Sequence, residues 1–192
     1  MPRMTRAQSQ AQTRADLVRT ARRLFFEDGY HPTSLEKVAD AAGFSKGAVY
    51  SNFRNKDELC TAVLDEVRGE RIAEILDIMA RPDLPSRIEA LRDWAERVIG
   101  DPGWTSLEVE FAVHARRNEQ LRTDMASRLT FILQTLTGAT ESTDLTDPAM
   151  PRDEIATVML ALGIGLGLLR SIDPGVPVNG LTDILSLVSG QS

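Results

Sequence analysis

Between residues 45 and 56 the sequence carries a dense run of side chains that can hydrogen-bond to an external partner. Lys46 and Asn52 have donors suited to the edges of nucleic-acid bases in a major groove. Tyr50 and Lys56 can bind phosphate oxygens through a hydroxyl and an ammonium group. The segment lacks the full apolar stripe of a helix that packs on a core, so we expect much of it to face outward.

Two short helices joined by a tight turn are predicted to position this run. A helix-turn-helix requires a small inward residue in its first helix and a turn residue that can adopt positive φ. Ala39 and Gly43, four residues apart, meet these two requirements. Phe44 and Val49 supply apolar contacts that hold the second helix against the first. The pattern therefore predicts a helix-turn-helix over residues 33–56.

The second helix then turns small and polar side chains outward. Gly47 and Ala48 would allow its backbone to approach DNA closely. The outward set is Lys46, Gly47, Ala48, Tyr50, Ser51 and Asn52. Thr33 and Lys56, at the starts of the flanking helices, would bind phosphate oxygens, where the helix dipole helps. Taken alone, the segment is also compatible with an ordinary helical hairpin.

The distribution of charge separates this region from the rest of the chain. The 192-residue protein has a formal net charge of −6, which taken whole argues against a nucleic-acid partner. Residues 1–56 nevertheless hold ten Lys or Arg against five Asp or Glu, whereas the remainder holds 12 basic and 23 acidic residues. A basic N-terminal part on an acidic body favours DNA binding over the ordinary hairpin.

Helical patterns run through the whole chain, so the sequence predicts an all-α protein. Aromatic residues make up only 5% of the sequence, which argues against an all-β fold. The predicted elements are a flexible arm over 1–12, helices over 14–27 and 56–79, a turn over 100–103, a polar loop over 138–151, and helices over 155–172 and 181–188. Helix starts are predicted at Thr33 with Glu36, Ser45, Asn55 with Glu58, Ser86 with Glu89, and Thr105 with Glu108. Gly29 and Gly43 are predicted to end helices, and Asn118 to interrupt one.

Residues 14–66 resemble the DNA-binding head of the TetR family of transcriptional regulators. The residues that carry the resemblance are Ala21, Leu24, Phe25, Gly29, Tyr30, Thr33, Ser34, Val38, Ala39, Ala42 to Tyr50, Phe53, Asn55, Lys56 and Leu59. Their joint occurrence is highly specific, although each piece alone is weak. The resemblance covers about the first third of the chain, and beyond it only the helical pattern agrees.

The resemblance implies a cytoplasmic homodimer that binds a near-palindromic DNA operator, most often as a repressor released by a small molecule. It implies an arm over 1–12, a DNA-binding domain over 13–66 and an effector-binding and dimerisation domain over 67–192. Carried over by position, Thr33 or Ser34, Tyr50 and Lys56 would contact phosphates, and Ser45 to Ala48 with Ser51 and Asn52 would lie in the major groove. Since no Arg or Gln stands there, Lys46 and Asn52 are expected to contact bases, with DNA shape adding specificity.

The apolar helix over 155–172 is the candidate dimer surface. It contains Gly163, Gly165 and Gly167, and glycine in a helix interior costs about 1 kcal/mol relative to alanine. Three glycines therefore suggest close approach of another backbone, either within one subunit or between two subunits. The candidate interface residues are Ala161, Gly165, Leu168, Ile184 and Leu187.

A ligand cavity is predicted from aromatic and polar side chains in the middle of the chain. The candidate lining residues are Trp94, Trp104, Glu108, Phe111 and His114. Ordinary core packing is the alternative for these aromatic residues. Glu110 and His114 stand four residues apart but are too few for a metal site, so we expect a solvated pair.

Several function classes find little support in the sequence. The single cysteine, Cys60, permits no internal disulfide and is expected to be a small buried apolar residue. No transmembrane helix or secretory signal is expected, nor any cofactor or metal. An enzyme would rest only on Glu108 and His114, and a helical protein–protein adaptor is the remaining alternative to a regulator.

Overall fold

The computed structural model describes residues 5–141 and 150–188, and within these ranges the chain is helical without strands. The helices are α1 (Arg6–Asp28), α2 (Leu35–Ala42), α3 (Lys46–Tyr50), α4 (Lys56–Met79), α5 (Leu84–Val98), α6 (Pro102–Ala115), α7 (Glu119–Glu141), α8 (Arg152–Ile172) and α9 (Asn179–Val188). This architecture confirms the all-α prediction.

α1 begins eight residues before its predicted start at Arg14. The Thr5 hydroxyl accepts from the Gln8 N–H, and the Gln8 side chain accepts from the Thr5 N–H, which forms a complete capping box. Residues 6–12 therefore belong to a helix, which corrects the predicted arm over that range, and residues 1–4 lie outside the described part. The side chains of residues 6–12 are all exposed, so this stretch has no apolar face to reveal it.

The head of the molecule consists of α1, α2, α3 and the first turns of α4. α1 packs against α2 and α4, and α2 packs against α3. Gly29 follows α1 with φ 86° and Gly43 follows α2 with φ 71°, so both end helices as predicted. The buried core of the head includes Leu17, Ala21, Phe25, Val38, Ala39, Val49, Phe53, Leu59 and Cys60.

α6 belongs to the same core as the head. Leu107, Phe111 and Ala115 are buried in one cluster with the α1, α2 and α4 side chains. α4 is continuous from Lys56 to Met79, as predicted, and it passes from the head into the body. α4 and α6 therefore connect the body to the head, as does α7 through Leu121.

The body is built around a second apolar cluster. Ile78 of α4, Leu91 and Ala95 of α5, and Leu181 and Leu185 of α9 form its buried centre. α5 packs against α9, and α8 packs against α6, α7 and α9. This arrangement encloses a space between α4, α5, α6, α7 and α8 that the ligand cavity occupies.

Two predicted helix caps in the body are wrong, by three and four residues. α5 is capped by Asp83, which accepts from the Ser86 N–H, and α6 is capped by Asp101, which accepts from the Trp104 N–H. Proline follows each aspartate at the first or second helical position, where its missing N–H costs nothing. α7 also extends to Glu141, into the predicted loop, and residues 142–149 of that loop lie outside the described ranges.

Gly43→Ala is expected to lower the free energy of unfolding by about 1–2 kcal/mol, because a left-handed backbone strains any residue with a Cβ. No atom lies within 4 Å of a Cβ added at Gly43, so backbone strain is isolated from steric overlap. Urea denaturation measures the change. Gly69→Ala in the interior of α4, which is equally open, is the control and should be neutral or stabilising. An unchanged or increased stability of Gly43→Ala would contradict the expectation.

Candidate nucleic-acid interface and ligand cavity

The helix-turn-helix packs as its sequence predicts. Ala39 and Val49 are fully buried at the contact between α2 and α3, and Phe44 packs against the same core. The Ser45 side chain caps α3 by accepting from the Ala48 N–H, which confirms the predicted start. α3 ends at Tyr50, and Phe53 is buried beyond its end. One face of this short helix is thus fixed to the head, and the opposite face is open.

Most of the predicted contact residues lie on this open face. Ser34, Ser45, Lys46, Gly47, Tyr50 and Ser51 are exposed, whereas Ala48, Asn52 and Lys56 are half-buried. Lys46 makes no hydrogen bond or ion pair within the described residues, so its ammonium group is available to a partner. Together with the small Gly47, it leaves the start of α3 sterically open and positively charged.

Thr33 is the exception among the predicted contact residues. It is 1% exposed, and its hydroxyl donates to the carbonyl oxygen of Gly29 at 2.9 Å. Ser34 is the N-cap of α2 and accepts from the Lys37 N–H, so the predicted cap at Thr33 is wrong. Both residues carry a hydroxyl, and only the turn after Gly29 decides which one faces the helix. The Thr33 side chain is therefore directed away from any surface partner.

Two other predicted contact residues have partners within the head. The Tyr50 hydroxyl donates to Glu36 at 2.8 Å, and this bond lowers the pKa of Glu36 and raises the pKa of Tyr50. Both groups are exposed to water, so a phosphate oxygen can compete for the hydroxyl. The Asn52 amide donates to the Ala48 carbonyl oxygen at 2.8 Å, which turns that donor back onto α3.

Lys56 joins α4 to the turn after α1. Its Nζ donates to the carbonyl oxygens of Tyr30 at 3.0 Å and His31 at 3.2 Å. It also lies 4.1 Å from the centre of the Tyr30 ring, a cation–π arrangement. An ammonium group has three donors, so one N–H remains for a phosphate oxygen.

The head meets α6 through a polar cluster that we name the junction: Tyr30, Asp57, Glu110 and His114. The Tyr30 hydroxyl donates to Asp57, and His114 Nε2 lies 3.2 Å from both the Tyr30 hydroxyl and the Asp57 carboxylate. Glu110 accepts from the backbone N–H of Tyr30 at 2.9 Å. Glu110 and His114 therefore contact the head from one helical face, which corrects the expectation of a solvated pair.

Burial dominates the electrostatics of the junction. It raises the pKa of the Tyr30 hydroxyl far above its ordinary value, and the hydrogen bond to Asp57 adds to the shift. The Tyr30 hydroxyl therefore stays protonated throughout the neutral range, and its hydrogen bond holds the Asp57 carboxylate in place. Burial likewise raises the pKa of Cys60, which confirms that residue as a buried apolar group rather than a reactive thiolate.

A cavity of about 650 Å³ lies in the body. Trp94, Trp104 and Glu108 line it, in agreement with the predicted lining. Phe111 and His114 do not: Phe111 is buried in the core of the head, and His114 belongs to the junction. The prediction is wrong for these two residues because both pack against the head, whereas residues 104, 105, 108, 109 and 112 of α6 line the cavity. Glu108 lies in the cavity wall and His114 in the junction, so the two residues on which an enzymatic function would rest do not share a site.

The polar part of the cavity wall contains two arginines that the sequence analysis missed. Arg68 makes two hydrogen bonds to Glu108, at 2.6 and 2.8 Å, and Trp104 Nε1 donates to the same carboxylate. Burial lowers the pKa of Arg68, but the bonds to Glu108 outweigh it and the net shift is upward. Arg71 pairs with Glu74. These two arginines could have been recognised as lining residues from the helical spacing of residues 68, 71, 72, 75 and 79, which share one face of α4.

α8 presents a broad apolar surface to the outside. Ile164 is 60% exposed, Leu168 43% and Ile172 77%, and Ala161 and Gly165 lie on the same face. Within the described part of the chain no atom lies within 4 Å of a Cβ added at Gly165, whereas one added at Gly167 would contact Thr105 and the Gly100 backbone. Gly167 therefore serves packing within the subunit, and Gly165 is on the open surface. Leu187 of α9 is also exposed, and Ile184 is half-buried.

α8 also meets the length and hydropathy of a membrane-spanning helix. Its most apolar 18-residue window has a mean hydropathy of 1.9. Only 17% of that window is buried within the chain. Arg170 of α8 pairs with Glu96 of α5 at 2.9 Å, which ties one side of the helix to the protein. The open side requires another apolar partner.

Known proteins share both parts of this architecture. Residues 17–63 match the family model described as bacterial regulatory proteins, tetR family. The chain is 40% identical over 67 residues to the regulator TtgR of Pseudomonas putida, a match that spans 35% of this chain and 31% of TtgR. It is 25% identical to the repressor AcnR of Corynebacterium glutamicum, over 93% of this chain and 91% of AcnR.

A solved structure extends the likeness to the whole fold. The transcriptional regulator from Pseudomonas aeruginosa PAO1 superposes with a TM-score of 0.72 at 18% identity, covering 94% of this chain and 89% of that one. An exposed helix-turn-helix on a helical body that encloses a cavity defines the class of helix-turn-helix transcriptional regulators. Residues 17–63 therefore carry a DNA-binding domain of the TetR family, and over its whole length the chain is similar to regulators of this kind.

Proposed function

We propose that this protein is a ligand-responsive transcriptional regulator that binds a near-palindromic DNA operator as a homodimer, most simply as a repressor. The observation that carries the proposal is the open face of α3, where Lys46 is unpaired among the described residues and Gly47 adds no side chain. The basic N-terminal part of the chain supports it, because phosphate attraction supplies much of the affinity for DNA. A cytoplasmic location, where the chromosome is accessible, follows from this function.

The contacts with DNA are divided between positioning and reading. Ser34, Tyr50 and Lys56 flank the open face and hold phosphate oxygens in this proposal. Ser45, Lys46, Gly47, Ala48, Ser51 and Asn52 enter the major groove. Lys46 is the principal direct contact, because the Asn52 amide already donates to the Ala48 carbonyl oxygen. With few side chains able to read a base by two hydrogen bonds, the shape of the DNA carries part of the specificity.

Homodimerisation buries the exposed apolar face of α8. Ala161, Gly165 and Leu168 form its centre, and Leu187 and Ile184 of α9 extend it. Gly165 allows the two copies of α8 to approach closely, since it has no side chain and no atom of the described residues lies within 4 Å of a Cβ added there. A two-fold axis at this face presents two heads to two operator half-sites, as a palindrome requires.

The cavity is the effector site of the proposed regulator. Its wall includes α4, α6 and α7, which also contribute side chains to the core of the head. Glu108 faces the cavity, and Glu110, two residues further along α6, holds the Tyr30 N–H. A ligand that shifts α6 therefore moves the head with it, which changes the spacing of the two heads and releases the operator.

Lys46→Ala tests DNA binding directly. An operator is first selected from random duplexes with the purified protein, and its affinity is then measured by mobility shift at several salt concentrations. The variant loses one cation that contacts a phosphate or a base edge from each of two subunits. The salt slope of log K should therefore fall by about two units. Arg97→Ala, an exposed arginine on α5, is the control and should keep the slope of the unmodified protein. Failure to select any duplex, or equal slopes for both variants, would contradict the proposal.

A further inference from the structure

The cavity wall contains a guanidinium edge that has no partner. Arg71 Nε is buried and makes no hydrogen bond within the described residues. Arg71 Nη1 is occupied by Glu74, at 2.9 and 3.1 Å from its two carboxylate oxygens. Trp94 Nε1 donates to the same carboxylate at 2.7 Å, so Glu74 is held in place on the opposite side. The edge formed by Nε and Nη2 of Arg71 is therefore the one left for an acceptor.

A buried donor without an acceptor is unfavourable. A ligand that supplies the acceptor removes this penalty, and its binding free energy becomes more favourable as a result. The Nε–Nη2 edge of a guanidinium matches the two oxygens of a carboxylate in one plane, which allows a bidentate bond. The rigid support from Glu74 and Trp94 fixes the orientation of the Arg71 fork before a ligand arrives. Preorganised donors of this kind lower the entropic cost of binding.

The remaining charges of the cavity favour the same sign of ligand. Its lining holds four arginines (68, 71, 116 and 122) and one carboxylate, Glu108. Arg68 is neutralised by Glu108, and Arg71 by Glu74 behind the wall. Arg116 and Arg122 have no ion-pair partner among the described residues and leave an excess of positive charge. Both of these arginines are exposed, so they attract anions toward the cavity through a field that salt screens.

Most of the lining is apolar. Ile72, Ile75 and Met79 continue the cavity face of α4 beyond Arg71, and Leu91, Ile99 and Leu185 belong to the opposite walls. These side chains offer no hydrogen bonds, so they fit a hydrocarbon body and disfavour a ligand that is polar throughout. A volume of about 650 Å³ is within the usual range for cavities that bind small molecules.

We propose that the effector is an amphipathic carboxylate whose head group binds the Nε–Nη2 edge of Arg71 and whose hydrocarbon body fills the apolar cavity. This inference rests on the proposed function, since it names the ligand class of the effector site. A neutral alcohol of the same length offers Arg71 a single uncharged oxygen in place of two charged oxygens in one plane, and a cation is repelled by the arginines. Both should bind more weakly than the carboxylate.

Intrinsic fluorescence provides a direct test, because the chain has two tryptophans and both line the cavity. The full-length protein is titrated with decanoate, 1-decanol and decyltrimethylammonium, each below the concentration at which it aggregates. Decanoate should give a saturable change, with decanol at least tenfold weaker and the cation weaker still. Arg71→Met should weaken decanoate binding at least tenfold and leave decanol binding unchanged.

Two further variants keep the outcome interpretable. Arg71→Lys preserves the charge but removes the planar fork, so its decanoate affinity should fall between those of the unmodified protein and Arg71→Met. If Arg71→Met does not fold, the decanoate affinity of Arg71→Lys tests the role of Arg71 instead. Arg92→Met, on the exposed side of α5, is the control and should bind decanoate normally.

Equal affinities for decanoate and decanol, or an Arg71 variant that binds decanoate normally, would overturn the proposed ligand class. Absence of saturable binding for decanoate would do the same. Release of the selected operator is measured separately by mobility shift. Saturable decanoate binding without operator release would support the ligand class and count against the proposed regulatory function, so the two failures are distinguishable.

Discussion

The double variant Ile164→Glu with Leu168→Glu is expected to be monomeric and to bind the selected operator about 100-fold or more weakly than the unmodified protein. Both side chains are on the exposed apolar face of α8, at 60% and 43% exposure. In a two-fold interface each glutamate occurs twice, and an unpaired carboxylate pays a large desolvation cost in an apolar contact. Two linked heads gain roughly 10²–10⁴ in avidity over a single head, and a monomer loses that gain.

Analytical ultracentrifugation measures the association state, and mobility shift measures operator affinity. Val113→Glu is the control, because Val113 is 58% exposed on α6, outside the α8 face. That variant should remain dimeric and bind the operator normally. Circular dichroism establishes that the double variant keeps its helices. A dimeric double variant would contradict the proposed interface, and a monomer with normal operator affinity would contradict the proposed link between dimerisation and DNA binding.

Glu110→Ala is expected to have the second large effect, since it separates ligand binding from DNA release. Glu110 accepts from the Tyr30 N–H at 2.9 Å, and its removal leaves a partly buried backbone donor without its acceptor. Loss of a hydrogen bond to a charged group should lower the free energy of unfolding by about 1.5–3 kcal/mol. The cavity wall itself stays intact, because Glu108 and its bonds to Arg68 are unchanged.

The readout has two parts, measured on the same preparation. Tryptophan fluorescence should give a ligand affinity within about twofold of that of the unmodified protein. Mobility shift should show that the bound ligand no longer releases the operator. Glu110→Gln keeps an oxygen acceptor for the Tyr30 N–H and should restore most of the response. Ser106→Ala, an exposed change on α6, should respond normally. A Glu110→Ala protein that releases DNA like the unmodified protein would show that the junction does not transmit the signal.

The junction and the cavity share α6, so one helix connects the two sites. Glu108 and Glu110 differ by two positions and therefore point to different sides of the helix. One contacts the cavity arginine and the other contacts the head. The hydroxyl of Tyr30, with a pKa raised by burial, stays protonated near neutral pH and keeps Asp57 of α4 in the same cluster.

Much of the head could be predicted from sequence, because its signals are local. Ser45 and Asn55 cap helices through bonds to residues three positions away, and Gly43 ends α2 through a backbone conformation of its own. Such features depend on a few neighbouring residues, so their spacing is enough to identify them. The apolar contacts of Ala39 and Val49 follow from the same short-range pattern.

Two predicted helix caps were wrong because a neighbouring residue could make the same capping hydrogen bond. Thr33 and Ser34 both carry hydroxyls, and Asp83 competes with Ser86 for the same helix start. The choice between them depends on the direction from which the chain enters the helix. For Thr33, burial against the Gly29 carbonyl oxygen decided the matter, a contact with the preceding turn that no capping pattern contains.

The sequence by itself determined the all-α class, the helix-turn-helix and the outward, basic character of α3, since these follow from periodicity, composition and local hydrogen bonds. Only the tertiary structure decided which side of α6 faces the cavity, and so assigned Glu108 to the cavity and His114 to the head. It also decided that Gly167 packs inside the subunit while Gly165 stays open. The physical reason is that burial depends on which helices lie opposite a residue, and those helices come from distant parts of the chain.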